Sequence, residues 1–160
     1  ELNLFFYNSI FNIYFFRMKK LVFIIYTLLT STLFSEEYSL EALGDFTRKE
    51  INLENKTFTI FETKFKWKDS FGEFGEGYCI GHIENIKDEI DLYNLCENTD
   101  SKGEKFWLEG IRKTGKERGV GTLTYVKTSE KYKRFLNKKC NYGVSWFNQD
   151  SFFLKQKCKL

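Results

Sequence analysis

The chain has no proline, one methionine (Met18), one histidine (His82), and no long apolar run after residue 34. Each absence excludes something. A lone histidine without a serine or cysteine partner completes no nucleophilic triad. Neither G-x-S-x-G nor H-E-x-x-H occurs, which removes the nucleophile-elbow hydrolase and the zincin readings. With no second apolar run there is no candidate for a membrane-spanning helix in the body of the chain, and no stable membrane insertion is expected. From residue 36 onward the sequence holds 22 Lys+Arg against 21 Asp+Glu. That balance argues against nucleic acid as a partner, at least for recognition by bulk charge. Lys, Asn, Ile, Phe and Tyr are plentiful, as in an AT-rich coding sequence.

What is present organises the chain into three parts. From Met18 it reads MKK, then LVFIIYTLLTSTLF, then Ser35 and a polar stretch. A basic start, a short apolar segment and a small residue form the pattern of a secretory signal. The expectation is therefore an upstream extension at 1–17, a signal peptide at 18–35, and a single domain at 36–160. No cysteine stands at the expected cleavage point, so a lipid anchor is not expected there. The compartment implied is a periplasm or the cell exterior.

All four cysteines, Cys79, Cys96, Cys140 and Cys158, fall in the 36–160 part. An even count in a small exported domain reads as two disulfides. Register arithmetic selects the pairs. If residues 138–160 form a hairpin about Asn148–Asp150, Trp146 faces Phe152, Val144 faces Leu154, Tyr142 faces Gln156, and Cys140 faces Cys158. The other parity carries Asn141, Gly143, Ser145 and the lysines 155, 157 and 159, so one face is apolar and one wet. A hairpin over 78–97, turning between Lys87 and Asp88, sets Cys79 opposite Cys96 at a non-hydrogen-bonded position, close enough for a bridge. The same register sets Glu84 against Asp91, a like-charge pair. A metal site built from Cys79, His82, Cys96 and Cys140 is disfavoured, because Cys79 and His82 would point to opposite faces of a strand. No cofactor is expected.

Extended segments are predicted at 56–68, 78–85, 90–97, 104–112, 120–127, 131–136, 138–147 and 151–160, separated by short polar turns. In the first of them the apolar phase slips near Phe61: Phe58 and Ile60 share one parity, Phe65 and Trp67 the other, which suggests a bulge. The glycines of DSFGEFGEG read as a turn, since a phosphate-cradling loop would need a helix to follow. Residues 38–43, YSLEAL, are the one short helical possibility. The class is all-β, with antiparallel neighbours.

Beyond these patterns, the stretches WKDSFGEFGEGYCIGHIE, NLCENTDSKGEKFW and GVGTLTYVKTSEKYKRFLNKKCNY resemble a group of small exported bacterial proteins of unknown function. Those proteins are similar to barrels of the allene oxide cyclase and dirigent type, which are calycin-like. The matching positions are Trp67, Asp69, Gly72, Gly75, Cys79, Gly81, Cys96, Glu97, Asp100, Gly103, Lys105, Trp107, Gly119, Gly121, Thr122, Tyr125, Lys131 and Tyr132. Lys127 to Glu130 depart from the glycine-rich turn of that pattern. The resemblance implies an eight-stranded antiparallel up-and-down β-barrel and carries over no active-site residue.

An eight-stranded barrel is just wide enough to be filled by side chains or to hold one small ligand. The aromatics Trp67, Phe74, Tyr78, Trp107, Tyr125, Tyr132, Tyr142 and Trp146 are candidates for core or pocket. The residues expected to line a ligand site inside the barrel are Trp107, Glu109, Tyr125, Tyr142 and Trp146. Glu109 is the one carboxylate that would carry a cyclase or isomerase reading, through a pKa raised by burial. The acidic cluster Asp88, Glu89 and Asp91 reads as a solvated turn. Charge is split along the chain: residues 36–104 hold 8 Lys+Arg and 17 Asp+Glu, and residues 105–160 hold 14 and 4. This reads as acidic and basic strands meeting where the barrel closes, with a basic wall for an anionic surface as the alternative. The expected function is binding of a small apolar or amphipathic ligand without catalysis. Alternatives are a cyclase or isomerase at the barrel mouth and an envelope or protein-interaction module.

Overall fold

The computed structural model describes residues 36–87, 89–114 and 120–160. The expected extension and signal peptide (1–35), Asp88 and Gly119 lie outside the described residues. Eight strands follow in order: β1 (Glu37–Leu53), β2 (Lys56–Asp69), β3 (Phe74–Ile86), β4 (Glu89–Asp100), β5 (Lys105–Thr114), β6 (Gly121–Thr128), β7 (Lys139–Trp146) and β8 (Ser151–Lys159). Each pairs antiparallel with its neighbour in sequence, and β1 pairs with β8 to close the barrel.

Both hairpins have the registers expected from sequence, with Tyr142 opposite Gln156 and Cys79 opposite Cys96. Disulfides join Cys79 to Cys96 and Cys140 to Cys158, with Cα separations of 4.0 and 4.5 Å. All four cysteines are buried, facing inward. The like-charge pair in the β3–β4 hairpin is relieved from outside it. Glu84 takes Lys56 of β2 at 2.7 Å, and Asp91 takes Lys113 of β5 at 3.0 Å.

Three local expectations are corrected. Residues 38–43 are not helical but belong to β1, where Tyr38, Leu40 and Ala42 alternate inward between two partner strands. Residues 131–136 are not a strand. Glu130–Phe135 form a 3₁₀ helix that buries Tyr132 and Phe135, a spacing of three that a pleated strand would send to opposite faces. No bulge interrupts β2, whose pairing runs unbroken from Lys56 to Asp69 on its β1 side. Phe61, Thr63 and Trp67 are buried while Ile60 is exposed, so the inward parity is the odd one throughout. The register shift falls instead between β5 and β6, at Trp107/Leu108.

One end of the barrel is plugged. The 3₁₀ helix lies across it, and Phe135 packs on Tyr38 and Tyr125, with ring centroids at 4.6 and 5.0 Å; Phe106 meets Tyr132 at 4.8 Å. Two hairpin loops of the same sequence pattern, D-S-x-G-E, stand at this end: Asp69–Glu73 and Asp100–Glu104. In each, one aspartate Oδ1 accepts two backbone N–H groups. Phe71 and Glu73 donate to Asp69 at 2.9 Å each, and Lys102 and Glu104 to Asp100 at 2.8 and 2.9 Å. The glycines take φ of 84° at Gly72 and 86° at Gly103, a left-handed conformation that strains other L-residues. Asp100 has a second task. Its Oδ2 accepts from the Tyr132 hydroxyl at 2.9 Å and pairs with the Lys131 ammonium at 2.5 Å, tying the plug to the sheet.

Candidate functional site

Inward side chains of the two barrel ends form separate apolar clusters, and they do not meet throughout. Above the plug sit Tyr38, Trp67, Phe106 and Tyr125; toward the other end sit Phe46, Phe61 and Phe152. Between and beyond them is a cavity of about 250 Å³. Its walls come from all eight strands, and aliphatic and aromatic side chains dominate them. Ile83, Ile90, Arg112 and Trp146, close to the β3–β4, β5–β6 and β7–β8 connections, also line it, and Trp146 is 51% exposed. The cavity therefore reaches the surface at the end opposite the plug.

The mouth is aromatic. Trp146 stands edge-on to Phe46 at 5.2 Å and meets Phe152 at 6.0 Å. Inside, the Tyr142 ring lies directly over Gly121, where a Cβ would strike the ring. The small residue on β6 thus makes room for the large one on β7. Tyr142 is 5% exposed, and burial raises its phenol pKa against the opposing influence of Arg112.

Besides the Thr63 hydroxyl, four polar side chains interrupt the apolar wall: Asn94, Asn98, Arg112 and Gln156. Each keeps a buried polar atom without a hydrogen-bond partner, namely Asn94 Oδ1, Asn98 Oδ1, Arg112 Nε and Gln156 Oε1. Gln156 is wholly enclosed and held at one end, its Nε2 donating to Tyr125 Oη at 3.1 Å. Asn98, 1% exposed, is likewise held through Nδ2, which donates to the Phe106 carbonyl at 3.5 Å. Native interiors pair nearly all such atoms, since each one left open costs about 1–3 kcal/mol. All four residues belong to the wall of this one cavity.

Of the five residues expected to line a ligand site, Tyr142 and Trp146 line this cavity. Tyr125 is inside but below it, fully buried in the plug-end cluster, where burial pushes its phenol up to about 12 against hydrogen bonds from Tyr38 and Gln156. Trp107 and Glu109 are on the outer surface, because Phe106 and Leu108 take the inward parity of β5. Trp107 Nε1 donates to Glu97 Oε2 at 3.0 Å, and the Lys127 ammonium sits 4.6 Å from its ring centroid. Glu109 hydrogen-bonds Tyr93, itself exposed, and raises the Tyr93 phenol. The residues missed by sequence reasoning are Asn94, Asn98, Arg112 and Gln156. The signal was available: each has the parity of a buried neighbour, Cys96 for the two asparagines, Leu108 for Arg112 and Cys158 for Gln156.

His82 lies on the outer face between Phe58 and Tyr93, with ring centroids at 5.6 and 6.0 Å, while Cys79 points inward. Among the described residues, no group of three or more His, Cys, Asp or Glu is placed to hold a metal ion. No helix among them is long and apolar enough to cross a membrane. The split of charge along the chain becomes a seam: Lys155 of β8 pairs with Glu41 of β1 at 3.0 Å, and Lys157 with Glu37 at 2.7 Å.

No family model matches the chain, and no curated protein matches it either. Its structure is similar to that of a protein of unknown function from Clostridium acetobutylicum ATCC 824. The TM-score is 0.61 at 15% sequence identity, over 78% of this chain and 98% of the other. At that identity the likeness shows a shared fold and nothing about activity.

Proposed function

We propose that the barrel binds one small amphipathic molecule in its cavity and does not transform it. The observation that carries this reading is the cavity of about 250 Å³, open at one end and walled mainly by aliphatic and aromatic side chains, with Asn94, Asn98, Arg112 and Gln156 among its lining residues. A cavity of 150 Å³ accommodates benzene, so this one suits a molecule of about ten non-hydrogen atoms. Burying an eight-carbon chain contributes on the order of 6 kcal/mol before the cost of association. The tail therefore supplies most of the affinity.

The cyclase or isomerase alternative rests on a carboxylate acid or base inside the barrel. Glu109, the carboxylate on which that reading leaned, stands outside. Asp100 faces inward but is committed to Lys131 and Tyr132 at the plug. Export is part of the same proposal, since two buried disulfides suit an oxidising compartment.

Calorimetric titration with 1-octanol tests the reading. One equivalent binds the wild-type barrel, and Val144→Phe, which fills the cavity from β7, abolishes binding while the protein still melts cooperatively. Failure of octanol and of its shorter and longer homologues to bind would remove this reading.

A further inference from the structure

We infer that the ligand is an anionic amphiphile whose carboxylate is held by Arg112. This deepens the binding reading above and rests on it.

Among the described residues, Arg112 is the one charged side chain lining the cavity; no carboxylate lines it. Six cationic groups on the outer wall, Lys56, Lys66, Lys105, Lys113, Lys155 and Lys157, each have a carboxylate within 3.0 Å. Arg112 has none among the described residues, and its Nε is buried without a partner. A guanidinium drawn into an apolar wall without an opposing charge is costly, and a bound anion removes the cost. A guanidinium is also suited to the task, since its planar fork matches a carboxylate at two oxygens.

Position supports the assignment. Arg112 lies near the C-terminal end of β5, toward the open end and opposite Leu92. A carboxylate there leaves the tail to run inward along Leu123, Leu154 and Phe61, where the wall is apolar. Asn94, on the neighbouring strand, places a second polar group beside the head. The reverse orientation would bury the charge against the plug, where Asp100 already holds a negative charge.

The test compares octanoate with 1-octanol, which share a tail and differ in head, on the full chain. Octanoate binds wild type more tightly than octanol. Arg112→Gln weakens octanoate by about tenfold or more and leaves octanol within about twofold, as expected for loss of a charge-assisted pair. Arg112→Lys recovers part of the loss. Thermal melts of each variant show that the barrel is intact. If octanol binds and octanoate binds no better, or if Arg112→Gln weakens both alike, the guanidinium is simply hydrated in the mouth. The carboxylate assignment then falls while the binding reading stands. If neither compound, nor a shorter or longer homologue of either, binds wild type, the binding reading falls and takes this inference with it.

Discussion

At the scale of single residues, two enclosed polar groups are in contrary situations. Asp100 is satisfied. Burial alone would raise its carboxyl, but the Lys131 ammonium, the Lys102 and Glu104 backbone N–H groups and the Tyr132 hydroxyl outweigh it and hold the pKa at about 2, against an ordinary 3.8. A folded-state pKa below the unfolded one means a contribution that is complete above about pH 4 and lost as the pH falls toward 2. Its size is on the order of 2 kcal/mol. Asp100→Asn should lower stability in urea by about that amount at pH 7 and flatten the decline between pH 4 and 2. Equal slopes for variant and wild type in that window would refute the assignment. Gln156 is the contrary case, since its Oε1 has no partner. Gln156→Leu removes an unmet acceptor and should raise the melting temperature by a few degrees, equivalent to about 1 kcal/mol, even though the Tyr125 hydroxyl loses a donor. A clear fall in melting temperature would mean that the amide stabilises the empty barrel.

At the scale of elements, the two disulfides do similar work. Each staples a hairpin, across sequence separations of 17 and 18 residues. Loops of that length correspond to about 3 kcal/mol of stabilisation per bridge in the chain-entropy account. Breaking Cys140–Cys158 by a double serine substitution should lower the melting temperature by about 10 °C. A change of only a degree or two would show that the ladder fixes the hairpin unaided. These hairpins were legible in the sequence because a period of two, a short turn and facing thiols all selected one register. Their neighbours were less so. β1 contains Leu43, Glu41 and Ala42, ordinary helix formers, and is a strand because β2 and β8 pair with it on both sides. Segment 131–136 carries two buried aromatics three residues apart, which alternation misreads. Trp107 is expected inside as one of the aromatics that could form core or pocket, yet Glu97 and Lys127 engage it on the outer wall. The cavity itself was not legible. It arises from where the inward parities of eight strands leave space, and no single segment encodes that.

At the scale of the whole molecule, the barrel is asymmetric along its axis and around its wall. Six residues of the pattern read from sequence, Asp69, Gly72, Asp100, Gly103, Lys131 and Tyr132, gather at the plugged end, where they shut the barrel. Around the wall the ladders are unequal. β1 and β2 pair along fourteen positions, whereas β6 and β7 pair along four, Gly121–Thr124 against Lys139–Tyr142. The disulfide of β7 runs to β8, leaving the β6–β7 join without a covalent tie. Where a closed sheet is held by few ladder bonds it opens locally at lower free energy than elsewhere. Amide hydrogen exchange should therefore be fastest, among the eight ladders, for the inward-paired amides of β6 and β7, and slowest for β1 with β2. Occupation of the cavity reaches this join through Leu123 and Tyr142, which both line it. Saturating octanoate should slow exchange there by more than in β1 and β2, since a ligand stabilises most the openings that would release it. Uniform slowing around the barrel would mean that the cavity empties only through global unfolding, and would place the weak join outside the path of the ligand.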